Sequence, residues 1–191
     1  MFLPLTKQEL RERGWDRPDF ICVTGDAYVD HPSFGIAIVS RLLESLGYRV
    51  AMIAQPVSDA DYLRFGAPKY GWWVTGGNID SMVAHYTAAK RKRSDDAYTP
   101  GGKAGRRPDR ATTVYCNRIR ALFPDAQIVI GGLEASMRRF AHYDYWADTV
   151  MPSILVDSRA DLLIFGMGEK QTEHIARELE KGVPAQEIRC K

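Results

Sequence analysis

The chain has 191 residues, 45% of them apolar and 26% charged, a composition typical of one folded domain with a hydrophobic core. Its formal net charge of +2 is too small to indicate a nucleic-acid or membrane partner by itself. Cys22, Cys116 and Cys190 form no C-x-x-C pair, which argues against a disulfide framework and against a cysteine-ligated zinc or iron–sulfur site within these residues.

The chain lacks the features of an exported protein. Its start has neither the basic segment nor the long apolar segment of a signal peptide, and no apolar run approaches the ~20 residues of a membrane span. With the unpaired cysteines, this predicts a cytoplasmic protein without a membrane partner. Residues 187–191 follow a helix without a closing signal, so we expect a fragment of a longer protein.

The first predicted strand and the loop after it indicate where functional residues lie. After an N-terminal extension at residues 1–19, an apolar run from Phe20 to Val23 stops at Gly25, as expected for a buried strand. A helix begins at Gly35, and the polar loop between them carries Asp26, Asp30, His31 and Ser33. In an open parallel sheet, ligands usually bind at such a loop, so we expect functional surface here.

Strands and helices alternate through the rest of the chain. Further strands are predicted at 48–54, 70–75, 126–130 and 161–165, and the helices after the first at 59–65, 81–92, 112–123, 133–140 and 171–181. This order predicts an α/β fold, a flavodoxin-like or Rossmann-like three-layer sandwich with a five-stranded parallel sheet of order 2-1-3-4-5. A Rossmann-type half is the alternative.

A basic segment rich in Gly and Pro interrupts this alternation. We predict a surface insertion at residues 93–111 within an α/β domain that spans residues 20–191. Its basic residues could contact nucleic acid or phosphate, but a solvated surface is the simpler interpretation. The residues are Lys90 to Arg93, Arg106, Arg107 and Arg110. Tyr143, Tyr145 and Trp146 could stack a base or could pack within the fold.

Four predicted strands end in glycine next to polar residues. Glycine lets a backbone approach a ligand closely, and the helix N-termini that follow offer free N–H groups. Tight strand-to-helix turns also need glycine, so either explanation is open for any one loop. No catalytic or metal-binding residue is assigned. The candidate ligand-binding residues are Asp26, Asp30, His31, Ser33, Gly76, Gly77, Asn78, Gly131, Gly132, Glu134, Gly168 and Glu169.

His31 has two interpretations. A neutral imidazole suits cobalt or zinc, and Asp26 or Asp30 could then set its tautomer. Alternatively, His31 is a loop histidine bonded to a carboxylate or a backbone carbonyl, and the two aspartates cap the first helix.

Five long and unusual stretches carry a resemblance to a known family. They are FLPLT (2–6), GDAYVDHP (25–32), GWWVTGGN (71–78), YTPGGK (98–103) and GGLEASMRR (131–139). Together they resemble the N-terminal domain of the YgiQ family of radical S-adenosylmethionine (SAM) proteins over nearly the full length. DHPSFG (30–35), IVIGG (128–132) and GMGE (166–169) also look like a cobalamin-binding-type domain.

The resemblance implies a division of labour within a longer protein. Full-length relatives are expected to hold a [4Fe–4S] cluster on a C-x-x-x-C-x-x-C motif in a following barrel domain, where the cluster binds SAM. This chain lacks that motif, so the resemblance implies an accessory, substrate-side domain whose partner is the C-terminal radical-SAM barrel. The substrate is not implied. The alternative is a non-catalytic binding module for RNA or a protein partner.

The cobalamin motif itself is altered. The usual pattern is D-x-H-x-x-G, whereas here Asp30 and His31 are adjacent and Gly35 lies four residues after His31. A domain that binds cobalamin and a domain of the same fold that binds no corrin both stay open.

Overall fold

Seven strands and eight helices form in the computed structural model, which describes residues 2–189. The strands are β1 (Phe20–Thr24), β2 (Val50–Ala54), β3 (Gly71–Thr75), β4 (Ile128–Ile130), β5 (His142–Asp144), β6 (Thr149–Met151) and β7 (Leu162–Leu163). The helices are α1 (Lys7–Glu12), α2 (Gly35–Ser45), α3 (Asp59–Leu63), α4 (Ser81–His85), α5 (Ala111–Leu122), α6 (Gly132–Met137), α7 (Ile154–Asp157) and α8 (Glu169–Glu180). Within the described residues, none of these helices is long and apolar enough to cross a membrane.

Five strands pair into one parallel sheet of order β2-β1-β3-β4-β7. Because β7 is the fifth strand of this sheet, the predicted order 2-1-3-4-5 is confirmed. Phe20 of β1 pairs with Val50 on one side and with Gly71 on the other. From β1 the chain passes to β2 on one side, and from β2 it crosses back over β1 to β3 on the other side. A topological switch point therefore lies between β1 and β3 at the carboxyl edge.

The sheet is covered on both faces, which explains why its strands are apolar runs rather than alternating patterns. Trp72 faces a buried cluster that includes α3 and α5, whereas its neighbour Trp73 faces a second cluster that includes α2 and α8. The predicted three-layer arrangement follows from this alternation.

The fourth helix is much shorter than the sequence predicts. The prediction extends from Ser81 to Lys92, but α4 ends at His85 and Tyr86 has an extended backbone. Tyr86 then forms an antiparallel bridge with Lys92, and Lys90 has a positive φ of 57° that closes the loop between them. Local apolar spacing predicted a longer helix, but these backbone pairings terminate it.

The basic segment is largely exposed, but three of its polar residues are not part of the solvated surface that the sequence favours. Asp96, Thr99 and Arg107 are buried, although the neighbouring Arg106 is exposed. The segment therefore packs against the carboxyl edge of the sheet. The aromatic stretch after α6 forms a separate antiparallel hairpin of β5 and β6.

We expect the Leu43→Ala substitution to destabilise the protein by about 2–5 kcal/mol, because it leaves a cavity in the α2–α8 cluster where Leu43 is 0% exposed. Urea unfolding measures this change. Leu63→Ala is the matched control, since Leu63 is also helical but 49% exposed, and its effect should stay within about 0.5 kcal/mol. Equal effects at the two sites would contradict this description of the core.

Candidate functional site

A pocket opens at the carboxyl edge of the sheet, between the first turns of α2 and α8. Its volume is about 370 Å³, within the range of small-molecule sites. The ends of β3 and β4, the chain after β7 and the two helices form its walls. We call it the rim pocket.

The rim pocket brings together the glycine turns that the sequence analysis singled out. The candidate residues that line it are Asp26, Gly77, Asn78, Gly131, Gly132, Gly168 and Glu169. Gly76 and Glu134 belong instead to a buried polar network beside the pocket. Asp30, His31 and Ser33 lie on the loop before α2, outside the lining.

In the loop before α2, the contacts of Asp30 and His31 are not those of a metal site. Asp30 forms an ion pair with Arg41 of α2, and the hydrogen bonds from Arg41 lower the pKa of Asp30. The backbone N–H of Ser33 donates to His31 Nδ1 at 3.1 Å, so the neutral ring carries its proton on Nε2. A metal-ligating histidine normally donates its other N–H to an orienting acceptor. These contacts do not fit a cobalt ligand, and we derive no step through a corrin.

Two rim glycines are required by the protein's own side chains. Gly77 has a φ of 115°, and a Cβ there would lie 2.2 Å from Asp26 Oδ1. Gly132 has a φ of 85°, and its Cβ would lie 2.4 Å from Thr75 Oγ1. A side chain at either position would be strained and would collide with these neighbours. Glycine at these turns therefore does not by itself indicate a ligand.

A buried arginine joins the basic segment to the rim. Arg107 Nη2 lies 2.9 Å from Asp26 Oδ1 and 3.1 Å from Asp96 Oδ1, and Arg107 Nη1 donates to the Gly76 carbonyl at 2.9 Å. The backbone N–H of Asn78 donates to Asp26 Oδ2 at 2.7 Å. Burial raises the pKa of Asp26, against the lowering effect of this N–H and of Arg107. Asp26 thus holds the fold together at the pocket wall.

Glu134 links two helices in a similar way. The backbone N–H of Ser81 donates to Glu134 Oε2 at 2.7 Å, and that of Thr112 donates to Oε1 at 2.9 Å. These two donors lie in the first turns of α4 and α5, where a carboxylate is favoured by the helix dipole. Because both oxygens already have partners, Glu134 has a structural role in this conformation.

Two side chains in the rim pocket lack partners, and the sequence analysis missed both. Trp73 is 4% exposed and Thr172 is 1% exposed, yet Trp73 Nε1 and Thr172 Oγ1 make no hydrogen bond within the described structure. Both residues line the pocket. Buried donors are normally hydrogen-bonded in folded proteins, so a ligand or an ordered water is the expected partner of these two. Only the alternation of side chains along β3 could have indicated that Trp73 faces this side of the sheet.

The described cysteines do not fit an iron–sulfur cluster. Cys22 and Cys116 lie in the clusters on opposite faces of the sheet, and burial raises the pKa of each thiol. Thiols held apart and protonated cannot ligate one cluster. Cys190 lies outside the described residues. Within residues 2–189, no group of three or more His, Cys, Asp or Glu side chains is arranged to hold a metal ion.

A model of the family described as Radical SAM N-terminal matches residues 2–190 of the chain. The chain belongs to this family. A UPF0313 protein of Clostridium botulinum strain 657 is 58% identical over 190 residues, which are 98% of this chain but 30% of that relative. A UPF0313 protein of Clostridium perfringens strain 13 is 56% identical over 190 residues, 98% of this chain and 29% of that relative. No solved structure matches the chain.

The family match and these relatives confirm the resemblance. The chain spans about 30% of the length of the curated relatives it matches, and it corresponds to an N-terminal domain of the radical-SAM type. A further domain of the same protein is therefore implied.

We expect Arg107→Ala to destabilise the chain by about 3–5 kcal/mol at neutral pH, because it leaves two buried carboxylates without their cation. The loss should shrink as the pH falls. Burial raises the pKa of Asp26 above its ordinary value of 3.8. A protonated Asp26 needs no cation, so the loss of Arg107 costs less at low pH. The stability that the protonated carboxyl contributes is lost as the pH rises through the pKa of Asp26 in the folded state.

Urea unfolding between pH 4 and pH 7 measures both effects. Arg106→Ala removes the exposed neighbouring arginine and should change stability by less than about 0.5 kcal/mol. If the two variants were equally stable, Arg107 would not hold the segment against the rim.

Proposed function

We propose that this chain is the ligand-binding accessory domain of a longer radical-SAM protein, and that the rim pocket holds part of the substrate. The main support for this proposal is that two buried donors, Trp73 Nε1 and Thr172 Oγ1, have no hydrogen-bond partner in the described structure. Both residues line a pocket of about 370 Å³. The position supports this proposal, since open α/β sheets bind ligands at the carboxyl edge beside a topological switch point.

The lining indicates the chemistry of the ligand. Much of the wall is apolar, including Ile36, Val39 and Ile164, which suits an apolar body. The indole N–H and the threonine hydroxyl both donate, so the ligand presents a carbonyl oxygen or a ring nitrogen to them. No Lys or Arg occurs among the described lining residues, which favours an uncharged group over an anion.

The radical chemistry belongs elsewhere in this proposal. A [4Fe–4S] cluster and SAM would be held by the remainder of the longer protein, because the described cysteines of this chain do not fit such a cluster. The present residues bind and position the ligand and exclude water from it.

An exposed apolar surface beside the pocket supports contact with that remainder. Phe140, Phe165 and Met167 are each more than half exposed, and the Arg139 guanidinium stacks on both phenylalanine rings at 4.8 and 5.2 Å. Met167 also lines the pocket, so a domain that covered this surface would close the pocket mouth. This geometry suits the predicted C-terminal barrel as the covering domain.

A neutral aromatic fragment library, screened by ¹H–¹⁵N NMR, tests the pocket. We expect binders that carry a carbonyl or ring-nitrogen acceptor to shift the Trp73 indole N–H resonance. Trp73→Phe identifies that resonance, and both Trp73→Phe and Thr172→Val should weaken binding by about 2- to 12-fold through loss of one hydrogen bond.

Trp15→Phe and Thr113→Val are the matched controls, because both residues lie outside the pocket lining. Their effect on binding should be negligible. Fragments that shift only other indole resonances, or that bind the pocket variants unchanged, would count against the proposed site.

Hydroxocobalamin tests the corrin alternative separately. Because His31 Nε2 carries the proton and no carboxylate orients the ring, we expect the same cobalt absorption spectrum with the wild-type chain and with His31→Ala. A spectral shift that disappears in His31→Ala would show that the loop rearranges to ligate cobalt.

A further inference from the structure

The segment from residue 86 to residue 110 concentrates the positive charge of the molecule. It carries eight Lys and Arg against three Asp, whereas the whole chain has a net charge of +2. Arg107 is buried with Asp26 and Asp96, and Arg110 pairs with Asp144. The other six cations are exposed and have no ion pair among the described residues. A local field of this strength attracts anionic polymers even when the net charge is small.

The backbone holds four of these cations on one closed loop. Thr87 N–H donates to the Arg91 carbonyl at 2.9 Å, and Arg93 N–H donates to the His85 carbonyl at 2.7 Å. The burial of Arg107 fixes the other end of the segment to the sheet. The charges are therefore displayed on an ordered surface, which lowers the entropic cost of binding.

Aromatic side chains lie directly beside this loop. Lys90 Nζ sits 4.7 Å from the Tyr145 ring centroid, and the Tyr145 hydroxyl donates to the Ala88 carbonyl at 2.7 Å. Tyr145 is 45% exposed, and Tyr143, two residues earlier on β5, is 60% exposed. We call this the basic–aromatic surface; it comprises Lys90, Arg91, Lys92, Arg93, Tyr145 and Trp146.

An open hollow lies next to the cations. Tyr86, Lys90 and Trp146 line it, and its volume is about 320 Å³. Trp146 Nε1 has no hydrogen-bond partner within the described structure. Two aromatic rings, a cation and a free indole donor are suited to a nucleobase, which offers a π-face and acceptor atoms together.

The neighbouring carboxylates do not cancel this surface. Asp144 is buried against Arg110 and Arg138, and Asp109 is bonded to His85 and Tyr86. Asp148 accepts from the Tyr143 hydroxyl and keeps its charge, but it is one carboxylate beside the four cations of the loop. Asp95 is exposed beside Lys103, with which it forms a backbone bridge. The excess of cations remains on the face that carries Tyr145.

We propose that the basic–aromatic surface binds single-stranded nucleic acid, with phosphates against the cations of the loop and a base against Tyr145 or in the adjacent hollow. A single strand is required because the bases of a duplex are not free to stack on protein rings. An acidic protein would use the cations but would have no need of the aromatic side chains. This proposal is independent of the rim pocket.

Fluorescence anisotropy with a short, labelled single-stranded RNA of mixed sequence tests the proposal on the full chain. We expect binding at ~50 mM salt that weakens steeply toward ~200 mM. Arg91→Ala combined with Lys92→Ala should flatten the dependence of log K on log salt by about 1.4, at about 0.7 for each phosphate that is no longer neutralised. Lys7→Ala combined with Arg11→Ala removes the same charge from exposed positions on α1 and should leave the slope unchanged.

The aromatic contribution has its own variants. Tyr145→Ala should weaken RNA binding by at least about fivefold because the base can no longer stack, with no change of the salt slope, and Tyr145→Phe should restore most of the affinity. Urea unfolding confirms that each variant is folded.

Three outcomes would overturn the proposal. They are an absence of RNA binding at low salt, an equal loss in the α1 control, and an equal affinity for double-stranded RNA that is insensitive to Tyr145→Ala. Binding of poly-glutamate as tight as that of RNA, again insensitive to Tyr145→Ala, would instead assign the surface to an acidic protein.

Discussion

The burial of charge at the carboxyl edge is the constraint on which the rest of the molecule depends. Arg107 is the buried cation of the basic segment, and it forms ion pairs with Asp26 and Asp96 at 2.9 and 3.1 Å. An ionised group removed from water must have such partners, because its desolvation costs several kcal/mol. The segment from residue 86 to residue 110 therefore cannot lift from the sheet without exposing or unpairing these charges. Glu134 applies the same constraint to the first turns of α4 and α5.

This network changes the meaning of the glycine-rich strand ends. Gly76 and Gly77 approach Glu134 and Asp26 so closely that a Cβ would collide with their carboxylates. The glycines thus make room for polar side chains of the protein, and the space left between α2 and α8 is lined mainly by apolar groups. What distinguishes that space as a site is the pair of donors without partners, at Trp73 and Thr172.

The molecule carries two surfaces of different chemistry. The rim pocket is apolar with buried donors, and the basic–aromatic surface is cationic and open. The cysteines on opposite faces of the sheet contribute to neither surface. The curated relatives in this family extend well beyond the region that the chain matches.

The sequence by itself determined the layers and the strand order, and it predicted a site at the carboxyl edge of the sheet. Five apolar runs, four of which stop at glycine, are each followed by a helical pattern, and these local signals suffice for the prediction. The family resemblance was equally readable, since its motifs are long and contiguous.

Only the tertiary structure decided which residues serve the pocket and which serve the fold. Asp26 is far from Asp96 and Arg107 in the chain, and nothing in their local sequence indicates that one cation pairs with both carboxylates. The sequence indicated Glu134 as a candidate ligand-binding residue, but in the structure its two oxygens accept hydrogen bonds from the backbone N–H groups of Ser81 and Thr112. The sequence did not indicate Trp73 and Thr172, because the lack of a hydrogen-bond partner for a buried donor depends on how the side chains pack. Long-range pairing and its absence leave no periodic trace in a sequence, so they become visible only when the chain is folded.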